Sequence, residues 1–477
     1  MNIIGLDLGT TSVRSCLYET ESKKFSIIRQ TPVAQYYPKP DWVEEDAEEI
    51  YLSAYMCLIA AAESAEKKVV GISLTNMRET VVAWDSVTGK PLYNAIIWQC
   101  RRTKRFLEGF DDATKKTVYE KTGLVVDAYF SASKIKWLLD NVDAVKAAHK
   151  AGRLRVGTVD SYMIYRLTGG KSFVTDVTNA SRTMLYNIHT LTYDKELLDI
   201  FGVPEDILPT VLDNDRIFGY CVLGGEAVPI AGVMGDQQSA LFGQDCVNKG
   251  SAKVTYGTGL FMLFNTADKV CVTDSGLLST IACRVDKKTT YALEGSVFNA
   301  GTAIQLLRDN FDLFAHAAES EALARSVGDN GGVYFVPAFT GLGAPHWKSD
   351  AKGLVYGLTR GSTKAHLVRA ALEAMAFAAR ELFEIMQRES GISLDFVKAD
   401  GGASANGFLM QFQSDQLQVP VKVPFNKEAT VLGCVRMCMR TLGLDYAGDD
   451  AFTTYQPQKK DDDIYKAWLD AVRRCLV

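Results

Sequence analysis

The chain has 477 residues, 47% of them hydrophobic and 23% charged, which is the composition of an ordinary globular protein. This length exceeds what one hydrophobic core supports, so two or three domains are expected. A net charge of -5 without blocks of like charge argues against a nucleic-acid scaffold, because such a scaffold needs clustered Lys and Arg. The sequence has no secretion signal and no run of about 18 apolar residues, and its 10 cysteines form no CxxC pair. We therefore expect a cytoplasmic protein without a membrane span.

The N-terminal half opens with a predicted meander of three strands, over 2–7, 13–17 and 24–30. A helix follows over about 47–66, because Asp46 is a good N-cap and apolar residues recur at helical spacing. Two buried strands and a further helix are then predicted at 69–74, 81–84 and 131–141. The pattern indicates an α/β arrangement.

The C-terminal half repeats this alternation of strands and helices. Strands are predicted within 281–293 and a helix from about 301, and a long helix covers roughly 364–390 and ends at Gly391. The strand 396–399 then precedes a helix that starts near Asn406. Strands alternating with helices predict layered α/β structure, with a boundary between two closely coupled lobes near 240–250.

Two Gly/Thr turns, one in each half, are the most informative feature. Gly9-Thr10-Thr11 follows the first strand, and Gly257-Thr258-Gly259 follows the strand-like residues Val254-Thr255-Tyr256. Such turns present backbone N–H groups and hydroxyls, which are the donors that a phosphate needs. Two of them predict a duplicated nucleotide-binding fold that holds a polyphosphate from both sides.

Charged residues next to the first turn suggest how the phosphates are held. A carboxylate at Asp7 suits Mg²⁺, and Thr10, Thr11 and Arg14 suit the terminal phosphates. The alternative is that Asp7 only stabilises the turn. The junction Asp400-Gly401-Gly402 is a second place where a nucleotide can lie against backbone, at a helix N-terminus.

Asp236 is the candidate general base. It follows the apolar run 228–234, and a carboxylate there suits a base that accepts a hydroxyl proton during phosphoryl transfer. The alternative is an N-cap for the helix 237–242, and the two roles are compatible.

Arg78-Glu79 is the candidate polyol-binding pair. A guanidinium beside a carboxylate supplies a donor and an acceptor for neighbouring hydroxyls. The alternative is a surface ion pair. By composition alone, Trp98, Tyr129 and Phe261 are more typical of core aromatics than of a ligand-binding wall.

Long matching segments show what the whole chain resembles. The chain resembles the FGGY carbohydrate kinases, and among them the members that phosphorylate glycerol, along nearly its full length. The segments that carry the match are 36–44, 78–80, 89–103, 178–185 and 336–345, with the two family signatures at 129–141 and 353–373.

The resemblance implies a two-lobed, actin-like (ribonuclease H-like) fold with an interdomain catalytic cleft, an N-terminal lobe over 1–243 and a C-terminal lobe over 244–477. It also implies ATP-dependent phosphorylation of glycerol to sn-glycerol 3-phosphate with Mg²⁺, in a homodimer or homotetramer. Asp236 would be the base and Asp7 the metal ligand. The implied substrate-binding residues are Arg78, Glu79, Trp98, Tyr129, Asp236, Gln237 and Phe261. The implied nucleotide-binding residues are Thr10, Thr11, Ser12, Arg14, Thr258, Gly301, Gln305, Gly402 and Asn406.

Some residues depart from the pattern of the glycerol-phosphorylating members. Leu8 stands where they usually carry Gln. Ala128, Ala132 and Ser133 replace Pro, Gly and Thr respectively. His346 is more typical of the pentulose kinases. The stretch 222–228 is shorter than the loop through which many of these enzymes bind fructose bisphosphate, so we predict that this allosteric site is absent. Two alternatives remain open: a kinase of xylulose, ribulose or erythritol, and a non-catalytic actin-like ATP-binding protein.

Overall fold

The computed structural model of the chain describes residues 1–348, 350–445 and 451–477. Its strands, in chain order, are β1 (Asn2–Leu8), β2 (Ser12–Glu19), β3 (Phe25–Pro32), β4 (Gln35–Tyr36), β5 (Glu44–Glu45), β6 (Val69–Asn76), β7 (Val81–Asp85), β8 (Ala95–Ile96), β9 (Leu154–Thr158), β10 (Val174–Asp176), β11 (Tyr186–Asn187), β12 (Thr192–Tyr193), β13 (Thr210–Leu212), β14 (Ile217–Leu223), β15 (Glu226–Gly235), β16 (Ala252–Tyr256), β17 (Leu260–Ala267), β18 (Leu278–Val285), β19 (Lys288–Val297), β20 (Tyr334–Val336), β21 (Leu354–Tyr356), β22 (Val397–Asp400), β23 (Val421–Pro424) and β24 (Phe452–Tyr455).

The α-helices, in the same order, are α1 (Ala47–Glu63), α2 (Lys104–Glu108), α3 (Asp112–Thr122), α4 (Ser131–Asn141), α5 (Asp143–Lys150), α6 (Val159–Leu167), α7 (Val177–Ala180), α8 (Lys195–Phe201), α9 (Asp236–Gly243), α10 (Gly301–Gln305), α11 (Glu319–Arg325), α12 (Lys364–Ser390), α13 (Gly407–Leu417), α14 (Ala429–Thr441) and α15 (Asp462–Cys475). Short 3-10 turns occupy Glu205–Ile207 and Gly402–Ala405, and a π-helical turn extends α10 over Leu306–Asn310.

Two mixed sheets share the arrangement of their central strands. The first has the order β14-β15-β6-β1-β2-β3, with β1 antiparallel to β2 and parallel to β6. The second has the order β18-β19-β17-β16-β22-β23-β24, with β16 antiparallel to β17 and parallel to β22. The two Gly/Thr turns occupy equivalent places, because they connect β1 to β2 and β16 to β17. The duplication predicted from these turns is therefore confirmed in the topology.

Helices bury both faces of the first sheet. On one face, α1 and α6 pack against Ile4, Leu6 and Ile72 in a shared apolar core. On the other face lies α14, whose Val431 and Val435 pack with the strands of the N-terminal half. A helix of the C-terminal half thus covers one face of the N-terminal sheet and packs the two halves of the chain against each other.

The predicted helices agree closely with the structure where local signals are strong. The helix predicted over 131–141 and the long helix over 364–390 have these bounds, and Gly391 ends the latter with a φ of 67°. Asp46 caps α1 by accepting the Glu48 and Glu49 N–H groups at 2.8 and 3.3 Å, but the helix ends at Glu63 rather than near 66. Among the described residues, no helix is both long and apolar enough to cross a membrane.

Candidate active site

Arg78 and Glu79 lie between β6 and β7, and both are buried, with 3% and 1% of their surfaces exposed. The surface ion pair considered as an alternative is therefore wrong. The Arg78 guanidinium donates to the carboxylate of Glu294, from Nη1 to Oε2 at 2.6 Å and from Nη2 to Oε1 at 3.0 Å. Its Nε lies 3.2 Å from Oδ1 of Asp236 but 3.9 Å from Glu79. Its main partner thus comes from β19, far along the chain.

Glu79 is held by three contacts in a left-handed conformation with a φ of 61°. Its carboxylate accepts a hydrogen bond from Nε of Arg182 at 2.6 Å. Its carbonyl oxygen accepts from Oγ of Ser131 and from Nζ of Lys134, each at 3.1 Å. The left-handed conformation costs a glutamate roughly 1–2 kcal/mol, and the surrounding contacts hold Glu79 in it.

Burial and charge pairing set the protonation states in this group. Burial alone raises the pKa of the Glu294 carboxyl, but the Arg182 and Arg78 guanidinium groups outweigh burial and lower it to about 2. Burial raises the pKa of Glu79, and the same two arginines oppose that rise. Burial lowers the pKa of Lys134 to about 7, while its Nζ donates to the Tyr129 carbonyl at 2.6 Å.

Asp236 is the first residue of α9, one position after the N-cap residue Gly235, so it is not the N-cap considered as an alternative. Its Oδ1 accepts the N–H of Gln237 at 2.7 Å and lies near Arg78 Nε. About 31% of its side chain is exposed, which leaves it accessible to a ligand. The neighbouring Gln237 accepts a hydrogen bond from the buried Lys253, whose pKa is lowered by burial against the opposing charges of Asp400 and Asp236.

The three predicted aromatic residues lie together. The Trp98 ring meets the Tyr129 ring edge-on at 5.7 Å between centroids, and it meets the Phe261 ring at 6.3 Å. Tyr129 is buried, whereas Trp98 and Phe261 are partly exposed. Phe261 belongs to β17 of the second sheet, so both halves of the chain contribute to this wall.

The first Gly/Thr turn closes on its own backbone, with the Gly9 N–H donating to the Ser12 carbonyl at 3.0 Å. Thr11 is exposed, and Asp7 is buried beneath the turn. Arg14 bridges Asp7 at 2.5 Å and Glu428 at 2.8 Å. Burial raises the pKa of Asp7, Arg14 opposes that rise, and the charge of Asp236 adds to it.

The second Gly/Thr turn touches two other predicted nucleotide segments. The Gly301 N–H donates to the Gly257 carbonyl at 3.1 Å, and a Cβ on Gly301 would lie 2.4 Å from that oxygen. Gly401 has a φ of 85°, and a Cβ there would lie 2.5 Å from the carbonyl of Tyr256. Only glycine fits such approaches. Thr258, Gln305 and Gly402 are exposed near this junction.

Asn406 serves the helix that follows this junction. Its side-chain oxygen accepts the Leu409 N–H at 3.0 Å as the N-cap of α13, and its Nδ2 donates to Oγ of Ser320 at 3.2 Å. Its side-chain amide is therefore held in place by both contacts.

Sequence reasoning missed Glu294, Arg182 and Lys253. A signal for Glu294 exists, because it is a single acid among apolar residues in Tyr291-Ala292-Leu293-Glu294. A lone charge in a strand that reads as buried must have a partner. Which partner it has depends on contacts far along the chain.

Family comparisons identify the kind of protein that carries this site. Residues 2–243 match the N-terminal domain, and residues 252–442 the C-terminal domain, of the FGGY family of carbohydrate kinases. The chain belongs to the FGGY family of carbohydrate kinases. The predicted family and the predicted enzyme class, an ATP-dependent carbohydrate kinase, are thereby confirmed.

Individual FGGY relatives match along the whole chain. Glycerol kinase of Xanthomonas campestris pv. campestris is 47% identical over 490 residues, covering 99% of this chain and 98% of that protein. Glycerol kinase of Carboxydothermus hydrogenoformans is 47% identical over 488 residues, covering 99% and 97%.

Solved structures confirm the predicted two-lobed, actin-like α/β fold. The structure of Plasmodium falciparum glycerol kinase with ADP matches with a TM-score of 0.91 and 34% identity, covering 100% of this chain and 98% of that one. The xylulose kinase of Lactobacillus acidophilus matches with a TM-score of 0.85 over 100% and 98%, and its 23% identity supports the shared fold alone.

Proposed function

We propose that this FGGY kinase is a glycerol kinase, which transfers the γ-phosphoryl group of ATP to glycerol and forms sn-glycerol 3-phosphate. The observation that carries the proposal is the buried Arg78-Glu79 pair beside the accessible carboxylate of Asp236. Full-length similarity to proteins named glycerol kinase supports the choice of substrate.

The polyol binds through complementary donors and acceptors. Each hydroxyl both donates and accepts, so Arg78 and Glu79 together satisfy two neighbouring hydroxyls of a small polyol. Gln237 adds a further polar contact, with its side chain held by Lys253. Trp98 and Phe261 cover the carbon atoms and exclude water, while Tyr129 supports Trp98 from the side.

Asp236 is the general base of the proposed reaction. Its Oδ1 is hydrogen-bonded by Gln237 and faced by Arg78, which orients the carboxylate. We assign Oδ2 to the substrate hydroxyl. The terminal hydroxyl oxygen attacks the γ-phosphorus and its proton passes to Asp236. The bond between the γ-phosphorus and the β,γ-bridging oxygen breaks, and ADP departs with that oxygen.

The nucleotide lies between the two Gly/Thr turns. Residues of the first turn, Thr10, Thr11 and Ser12, face the terminal phosphates, with Arg14 beside Asp7. The remaining nucleotide contacts are assigned to Thr258, Gly301, Gln305, Gly402 and Asn406. The glycine-lined junction supports this assignment, because it lets a ligand approach bare backbone.

Magnesium fits next to Asp7. Burial raises the pKa of the Asp7 carboxyl and the charge of Asp236 adds to that rise, so a divalent cation there would favour the ionised carboxylate. Mg²⁺ commonly uses one or two carboxylates together with phosphate oxygens and water. When bound, the ion supplies neutralisation of the phosphate charge.

We place the two lobes at 1–243 and 244–477, with α14 of the second lobe packed on the sheet of the first. The proposal includes a homodimer or homotetramer and a cytoplasmic location, as the resemblance implies.

The test measures ADP release with glycerol, xylulose, ribulose and erythritol as acceptors. We expect turnover with glycerol, and product oxidation by an sn-glycerol 3-phosphate dehydrogenase. Turnover only with a ketopentose or erythritol would assign another substrate, and ATP binding without any turnover would support a non-catalytic protein.

The base is tested in the same assay with Asp236→Asn. We expect kcat to fall by about 10²–10⁴-fold, because the amide cannot take the proton. Asp245→Asn is the matched control, since Asp245 is an exposed acid just beyond the same helix. Full activity of Asp236→Asn would refute the assignment of the base.

A further inference from the structure

Glu294 reaches from the C-terminal half of the chain into the substrate-binding pair of the N-terminal half. It lies on β19, is fully buried and contacts Arg78 through both carboxylate oxygens, at 2.6 and 3.0 Å. Building on the function proposed above, we propose that Glu294 is a positioning residue of the polyol site: it fixes the Arg78 guanidinium from the opposite lobe.

The bidentate contact with Glu294 determines the orientation of the Arg78 guanidinium as well as balancing its charge. A guanidinium is planar, so two hydrogen bonds from Nη1 and Nη2 to one carboxylate fix both its position and the orientation of its plane. The Nε edge of Arg78 then faces Asp236 at 3.2 Å. Gln238 adds a third contact, accepting from Nη1 at 3.3 Å. Without Glu294 the guanidinium loses the two shortest of its contacts.

Arg182 connects Glu294 to Glu79, the other residue of the proposed polyol-binding pair. Its Nη2 donates to Glu294 at 3.0 Å, and its Nε donates to Glu79 at 2.6 Å. The four buried groups, Arg78, Arg182, Glu79 and Glu294, carry two positive and two negative charges. Both members of the polyol-binding pair are thus connected to one carboxylate of the other lobe.

The strand register places Glu294 on the same face as the aromatic wall. Leu263 of β17 pairs with Glu294, and Phe261 pairs with Ser296, in the same antiparallel ladder. Residues two apart on a strand share a face, and directly paired residues do too. One face of the second lobe therefore contributes Phe261 to the carbon side of the pocket and Glu294 to its polar side. Both sides of the proposed pocket therefore depend on residues of the second lobe.

The test compares Glu294→Gln with a variant of a similarly buried acid elsewhere. Glu373 of α12 is 2% exposed and accepts from Arg369 at 2.7 Å and from Asn330 at 3.0 Å, so Glu373→Gln is the matched control. For Glu294→Gln we expect the KM for glycerol to rise at least about 10-fold, the size of a lost charge-assisted hydrogen bond, with the KM for ATP within about 2-fold. For Glu373→Gln we expect lower stability and an unchanged KM for glycerol.

Glu294→Asp distinguishes the effect of the negative charge from the effect of side-chain length. The shorter acid preserves the charge balance and so permits folding, but it cannot hold both guanidinium nitrogens in the same place. We expect stability close to that of the wild type and a KM for glycerol still raised several-fold. A wild-type KM in this variant, or equal changes for glycerol and ATP in Glu294→Gln, would overturn the proposal. The acceptor specificity of the wild-type enzyme tests the proposed function separately, and the same variants are then measured with whichever acceptor it uses.

Discussion

Trp98 donates a hydrogen bond from Nε1 to Oγ1 of Thr10 at 3.0 Å. The donor belongs to the aromatic wall of the proposed polyol pocket, and the acceptor belongs to the first Gly/Thr turn. A direct hydrogen bond therefore connects the two proposed binding regions. This arrangement predicts that the two substrates influence each other's affinity through these residues.

Trp98→Phe tests this coupling, because it keeps an aromatic ring and removes the N–H donor. We expect the KM values for glycerol and for ATP each to rise by about 3–10-fold, the size of one neutral hydrogen bond. Thr10→Val removes the acceptor, and Thr10→Ser, which keeps the hydroxyl, is the control. In the double variant Trp98→Phe/Thr10→Val we expect less than the sum of the single effects. Strict additivity would contradict the coupling.

Gly401→Ala tests the junction of the nucleotide segments. The new Cβ would lie 2.5 Å from the Tyr256 carbonyl, at a φ of 85°, so the backbone has to move. We expect the KM for ATP to rise at least about 10-fold, with little change in the KM for glycerol. Gly391→Ala is the control, because its φ of 67° is similar but no atom lies within 4 Å of the added Cβ. Equal effects of the two substitutions on the KM for ATP would contradict the assigned role.

Local signals explain why much of the fold follows from the sequence. The bounds of α4 and α12 depend on helical periodicity and on turn residues such as Gly391, which act within a few positions. The two Gly/Thr turns likewise sit between strands that are adjacent in sequence. Such features need no knowledge of distant contacts.

The polar centre of the site depends on distant contacts and could not be predicted in this way. Arg78 and Glu294 are 216 positions apart, and Arg14 and Glu428 are 414 apart. The surface ion pair considered for Arg78 and Glu79 is wrong for this reason, since the fold buries Arg78 against Glu294. A sequence shows that a buried charge needs a partner, but the fold selects that partner.

The hairpin between β14 and β15 contains the stretch for which we predict no regulation by fructose bisphosphate. Its turn consists of Gly224 and Gly225, with φ values of 56° and 87°, so the turn carries no basic side chain. The acid next to it, Glu226, pairs with Lys68 at 2.9 Å. We expect millimolar fructose bisphosphate to leave the rate of glycerol-dependent ADP release unchanged. Clear inhibition would refute the prediction.

Glu45 predicts a pH dependence of stability. Its side chain is fully buried, Oε1 accepts from Gln35 at 3.2 Å, and Oε2 has no partner among the described residues. Burial raises the pKa of Glu45 to about 8, with the nearby charge of Glu49 adding to the rise and the bond from Gln35 opposing it. Between the ordinary carboxyl pKa of 4.5 and this value, the folded state keeps a proton that the unfolded state releases. The free energy of unfolding therefore falls as the pH rises through this range.

Glu45→Gln removes this dependence, because the amide stays neutral at every pH. We expect the variant and the wild type to unfold at similar denaturant concentrations at pH 4.5, and the variant to be more stable at pH 8.5 by on the order of 1–3 kcal/mol. The adjacent Glu44→Gln is the control: Glu44 is buried and accepts from Arg102 at 2.6 Å and from Tyr93 at 2.7 Å, so its loss leaves a buried guanidinium without its counter-charge. That variant is expected to be less stable than the wild type at both pH values. A difference between Glu45→Gln and the wild type that does not grow with pH would show that Glu45 is already ionised in the folded enzyme.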